Sequence, residues 1–160
     1  MPDNFTIPKL TQTQNPPVSF HFMVSFLMEG VESNPLDIRF QKVSGISAEI
    51  ETTAITEGGE NIYMHTLPNR VKYGNLTLER GLVINSPLSV EFNTAMSSLR
   101  FSPSNVLAIL LNENSLPLAS WLFQQAYPVK WALSDLDAEK NSVAITTMEL
   151  AYARFQSMEI

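Results

Sequence analysis

A chain of 160 residues with 10 Lys+Arg against 16 Asp+Glu carries a formal charge of -6, which disfavours a sequence-independent nucleic-acid binder that must neutralise phosphates. It has no cysteine, so disulfides, thiolate metal sites and a cysteine nucleophile are removed together. The charged fraction of 16% is low beside about 25% in ordinary soluble domains, which leaves surface available for contact with other copies.

Residues 1–17 hold four prolines among polar loop formers and read as a flexible N-terminal arm, with one domain following over 18–160. The start, Met1-Pro2-Asp3-Asn4-Phe5, lacks the basic and apolar segments of a signal peptide, and no run approaches about 18 apolar residues, so direct membrane insertion is not expected. From Val18, apolar Phe20, Phe22, Val24, Phe26 and Met28 alternate with Ser19, His21, Met23, Ser25 and Leu27, the period-two pattern of a strand buried on one face. A turn-rich stretch from Glu29 to Pro35 separates it from Ile38 to Val43, and the two segments are predicted to pair as an antiparallel hairpin.

After Ser44-Gly45, alternation places Ile46, Ala48 and Ile50 on one face of a strand and Glu49 and Glu51 on the other. Breaks at Glu57-Gly58-Gly59-Glu60-Asn61 and at Leu67-Pro68-Asn69 predict a long loop from Glu57 to Asn69 carrying Ile62, Tyr63 and Met64. Apolar parity then slips from Val71 and Tyr73 to Leu76 and Leu78, with Gly74 at the slip, as at a bulge. One helix is predicted. Ser86 is its N-cap and Pro87 its first position, and Leu88, Phe92, Ala95, Met96 and Leu99 form its apolar stripe. Four further strands are read at Asn105–Leu111, Leu118–Gln125, Tyr127–Ala132 and Val143–Ala153. The predicted fold class is mostly β: two packed sheets in a sandwich or barrel, about seven or eight strands, flanked by one α-helix.

The residue patterns offer little for catalysis. His21 and His65 belong to no ligand-spaced cluster and read as structural or surface histidines. Glu49 and Glu51 could pair for glycoside chemistry, but same-strand neighbours on a solvated face are far commoner. Gly58-Gly59 lacks the Lys-Ser/Thr and helix of a phosphate loop and reads as a hinge. Trp121, Phe123, Tyr127 and Trp131 suit core or interface packing better than a stacking platform. No catalytic, metal or cofactor-binding residue is assigned.

The order of the local motifs is more specific than any one of them. Val43-Ser44-Gly45-Ile46-Ser47-Ala48-Glu49-Ile50-Glu51, then Glu57-Gly58-Gly59-Glu60-Asn61, then Leu67 to Gly81 resembles the tail-tube protein family of contractile phages and related injection systems. Ala126-Tyr127-Pro128-Val129-Lys130-Trp131 and Asp135 to Tyr152 look like that family's closing strands, so the resemblance runs from about residue 18 to the C-terminus. The insert Glu29–Asp37 and the very apolar Leu107-Ala108-Ile109-Leu110-Leu111 depart from it.

The resemblance implies a homo-hexameric ring, stacking of rings into a hollow tube inside a sheath, and partners among sheath, baseplate and tail-terminator proteins. It implies no cofactor, no stable nucleic-acid binding, assembly in the bacterial cytoplasm and a final place in a phage tail or injection particle. Within it, Glu57, Gly58, Gly59, Glu60, Asn61, Ile62, Tyr63 and Met64 are the expected contacts with the next ring, and Glu49 and Glu51 the expected lumen-facing residues. Competing expectations are a tube initiator or terminator of the same machine, an exported ring resembling the hemolysin-coregulated protein of type VI secretion, and a small glycan hydrolase using Glu49 or Glu51.

Overall fold

The computed structural model of the chain describes residues 21–27, 38–56, 58–59, 64–84, 86–139 and 142–158. The arm 1–17, the insert 29–37 and the strand positions Val18, Phe20 and Met28 lie outside them.

Alternation builds β1 (His21–Leu27): Val24 is fully buried, and Phe22 and Phe26 pack beside it on the core. Its partner β2 (Arg39–Phe40) places Phe40 opposite Phe22, which forms the antiparallel hairpin read from the sequence. After Gln41 the same stretch continues as β3 (Lys42–Ser44), paired with β6 (Leu76–Gly81). Between β3 and β6 the chain makes β4 (Ala48–Ile55) and β5 (His65–Tyr73), which among the described residues pair only with each other. The helix α1 (Pro87–Ser98) follows β6, and then come β7 (Ser104–Leu111), β8 (Pro117–Leu133), β9 (Ile145–Ala151) and β10 (Arg154–Met158).

The main sheet runs β2-β1-β7-β8-β9-β6-β3, with β10 added beside β8. Its two ends, β2 and β3, are separated by Gln41 alone, whose N–H donates to the Glu79 carbonyl at 2.9 Å, so the pairing path returns to the stretch where it began. The strands form two layers. Val24, Val106, Ala108 and Phe123 from one layer meet Leu76, Leu78, Met148 and Leu150 from the other in a single buried cluster. At about 25 cal/mol per Å² of apolar surface removed from water, such burial is the dominant favourable contribution to folding.

β8 belongs to both layers. Its first half pairs with β7 and β10 and its second half with β9. The two strands expected at Leu118–Gln125 and Tyr127–Ala132 are therefore one strand of 17 residues. Gln125 adopts φ 54 at the turn between the halves, and its N–H is satisfied by Asn105 Oδ1 at 3.2 Å. A left-handed residue inside a strand shifts side-chain parity, which is why the sequence reads as two segments.

Ser86 caps α1 as expected: its hydroxyl accepts the Ser89 N–H at 3.2 Å, and Pro87 occupies the first turn. Leu88 and Phe92 are buried, and the Phe92 ring meets Phe26 edge-on at 6.4 Å. The predicted stripe is too long. Met96 is exposed, and Leu99 is 77% exposed at φ 52, where the helix has already ended.

A candidate assembly surface

The β4/β5 hairpin leaves the sandwich through a narrow neck. Gly45 (φ 83) crosses so close to Asn75 that a Cβ there would sit 1.9 Å from its carbonyl oxygen, and a Cβ on Gly74 would sit 2.4 Å from Ser47 Oγ. The Gly74 N–H donates to the Ser47 carbonyl at 3.2 Å, tying the two crossings together. Only glycine fits both the dihedral and the approach at Gly45. The parity slip expected at Gly74 falls at this break between β5 and β6.

The long loop expected from Glu57 to Asn69 is much shorter. β5 begins at His65, and Leu67 and Pro68 pair with Thr53 and Thr52. Pro68 sits within the strand because β5 is an edge with no neighbour on its other side. The register shifts between Ile50 and Thr52, whose partners are Val71 and Pro68, so the β5 side carries one extra residue. Of the residues expected to touch the next ring, Gly58, Gly59 and Met64 are described and exposed, whereas Glu57, Glu60, Asn61, Ile62 and Tyr63 lie outside the described residues.

Residues opposite one another in an antiparallel pair share a face. One face of the hairpin holds Ala48, Ile50, Thr52 and Ala54 with Tyr73, Val71, Pro68 and Thr66, and bears no charge. Ile50 is 59% exposed and Val71 47% exposed on it. At the neck, Tyr73 of this face packs on Tyr152 and Phe155 at 5.9 and 5.6 Å, so the uncharged face looks toward the core side of the sandwich. Burial in that aromatic cluster pushes the Tyr152 hydroxyl above its ordinary pKa.

The other face carries both expected lumen residues together with their partners. Glu49 lies opposite Lys72, and Glu51 Oε2 accepts from Arg70 Nε at 2.7 Å. The Arg70 hydrogen bond and charge hold the Glu51 carboxyl below its ordinary pKa, and Glu51 in turn raises that of Arg70. The acidic strand read from the sequence is thus half of a charge-matched pair. Arg70 and Lys72 were missed as partners because Leu67-Pro68-Asn69 reads as a turn; the alternation Arg70-Val71-Lys72 against Glu49-Ile50-Glu51 was the signal for them.

The remaining sequence candidates scatter. His21 opens β1, and His65 opens β5 opposite Ile55. Trp121 and Trp131 pack on the buried core. Among the described residues no group of three or more His, Cys, Asp or Glu side chains is placed to hold a metal.

A β-sandwich with one flanking helix and a projecting hairpin whose uncharged face is bare defines the class: a structural protein built to assemble, of the tail-tube type. The T4-like virus tail tube protein gp19 family model matches residues 18–156, and the chain belongs to that family. A chain in the anti-feeding prophage baseplate structure is 41% identical, with TM-score 0.80 over 90% of this chain and 96% of that one. A chain of the extended PVC sheath-tube complex, an extracellular contractile injection system, is 19% identical with TM-score 0.75 over 92% and 95%. A chain of the anti-feeding prophage tube-terminating cap structure is 21% identical with TM-score 0.75 over 93% and 95%. Among curated proteins none matches the sequence. The protein is a structural subunit of the inner tube of a contractile phage tail or a phage-tail-like injection system.

Proposed function

We propose that copies of this chain close into hexameric rings and that the rings stack into a tube by burying the hairpin's uncharged face on neighbouring copies. The observation that carries this is the exposure of Ile50 and Val71 on a two-stranded ribbon with no other sheet neighbour. An isolated two-stranded hairpin is marginal in water and gains stability only by covering a face. Its edges offer unpaired N–H and C=O groups to a second copy, so the usual edge liability becomes the means of assembly. The function is architectural, without turnover. Glu57 to Met64 at the hairpin tip reach the next ring, residues 1–17 serve as an arm on the domain 18–160, and sheath, baseplate and terminator proteins complete the machine. Assembly takes place in the bacterial cytoplasm.

Negative-stain electron microscopy with mass measurement by size exclusion tests this directly. Rings or hollow tubes with sixfold symmetry are expected, and a monomer at every concentration overturns the reading. Replacing Ile62, Tyr63 and Met64 together by Ser is expected to shorten tubes while leaving the thermal melt of the free chain unchanged; tubes of unaltered length and yield overturn the assignment of the tip.

A second reading is favoured by one comparison: the 41% identity is to a chain in a baseplate structure, against 21% and 19% for chains in cap and sheath-tube structures. In that reading the chain forms the first ring or rings at the baseplate. Purified protein then stops at single or few rings, whereas a main tube subunit polymerises into long tubes.

A further inference from the structure

The charged side of the hairpin continues onto the sandwich. Beyond the neck, Thr77 and Glu79 of β6 alternate with buried Leu76, Leu78 and Arg80 and so point outward. Glu79 is bonded to Lys42 at 2.9 Å. Glu149 lies opposite Thr77 on one side and Lys130 on the other, and accepts from Asn75 Nδ2 at 2.7 Å. Four carboxylates, Glu49, Glu51, Glu79 and Glu149, are thus each set against a cation of the same chain: Lys72, Arg70, Lys42 and Lys130. A chain with net charge -6 nevertheless presents, on the described strands of this side, as many cations as carboxylates, two of the pairs directly bonded.

The outer side of the other layer is different. Met23, Leu107, Ile109 and Leu122 share it, with charge only at Arg39 and Arg154 among the described residues of its strands. Of the two outer sides, the charged one is suited to permanent contact with water.

We propose that this charge-paired surface is the wall of the channel, and that it passes polypeptide cargo of either net charge. The proposal rests on the tube reading above and specifies its cargo. Where opposite charges are bonded, as in Arg70–Glu51 at 2.7 Å and Lys42–Glu79 at 2.9 Å, passing cargo meets a dipole whose field fades well inside the reach of a lone charge, about 8 Å at physiological ionic strength. A wall that repels polyanions and holds polycations requires unopposed carboxylates; here each carboxylate on the described strands of this side lies opposite a cation of its own subunit, so neither an acidic nor a basic polypeptide gains by adhering. Were Glu49 and Glu51 unopposed, the same wall would repel acidic cargo.

The absence of cysteine makes the test clean. Lys72→Cys introduces one thiol, and a maleimide-gold label on assembled rings or tubes is expected in the lumen. Unlabelled assemblies are then mixed with fluorescent polylysine and, separately, polyglutamate at low salt. Wild-type assemblies are expected to retain neither. Glu49→Gln/Glu51→Gln assemblies should retain at least about tenfold more polyglutamate, and Arg70→Gln/Lys72→Gln assemblies as much more polylysine, both lost at 1 M salt where the screening length is about 3 Å. Gold on the outside overturns the wall assignment while leaving the tube reading intact. Wild-type assemblies that hold one probe as tightly as the matching variant overturn the neutrality. If the double variants fail to assemble, unequal retention of the two probes by the wild type decides the question, and a chain that never assembles overturns the tube reading itself.

Discussion

Arg80 fastens the helix to the sheet from inside the protein. It is 2% exposed, donates from Nη2 to Ser86 Oγ at 2.6 Å and Ser89 Oγ at 3.3 Å, and sets its guanidinium 5.4 Å from the centre of the Phe40 ring. Hydrogen bonds from a charged group contribute about 1.5–3 kcal/mol each, and the ring contact adds to them. Arg80→Ala is therefore expected to destabilise the chain by about 3 kcal/mol, seen as a lower urea midpoint at unchanged slope. Nothing in the sequence marks this residue, because arginine at an inward strand position breaks the alternation that otherwise reports burial. Glu51 behaves in the opposite way, bonded yet solvent-exposed. Its folded pKa lies below the ordinary 4.5, so what the pair contributes is present above that value and lost as pH falls through the depressed one. A carboxyl NMR titration should place Glu51 below the ordinary midpoint, and Arg70→Gln should return it there; an ordinary midpoint in the wild type removes the pair from solution.

Elements with a steady period were legible and those with a shifted one were not. Over the described residues β1 and the start of α1 follow their periods, whereas β4/β5 and β8 each hold a residue that resets the alternation. Pro68 reads as a turn because proline cannot donate within a sheet, a constraint that lapses on an edge strand. β10 escaped notice because Arg154 to Met158 has one half-buried member, Phe155, and four exposed ones, too few apolar positions to show a period. Glu49 and Glu51 share one face of β4, as the alternation predicts, whereas their partners Lys72 and Arg70 follow a Leu-Pro-Asn that reads as a turn. At this scale the hairpin makes a sharp prediction. Ile50→Ser with Val71→Ser removes only exposed apolar groups, so the melt of the free chain should move by no more than about 0.5 kcal/mol. Ring formation by size exclusion should be lost, and rings at wild-type concentration would assign the bare face to some other use.

Across the whole molecule, stability divides between a sandwich with its own core and a ribbon without one. The mostly-β architecture with a single helix follows from counting periods; how the layers join does not, since pairing between β1 and β7 or between β6 and β9 bridges long stretches of sequence that carry no local mark. Assembly should stabilise by mass action, because only folded chains present the hairpin. The melting temperature is therefore expected to rise with protein concentration in the wild type and to stay flat in the Ile50/Val71 variant, as scanning calorimetry at several concentrations will report.

β8 gives this architecture a mechanical property. Load on a two-layer subunit tends to shear one layer past the other, against side-chain packing and loops. Here 17 residues of one strand, bent at Gln125, run from the first layer into the second. Sliding one layer past the other must stretch covalent backbone, and the subunit can transmit thrust from layer to layer as a bent beam does around its corner.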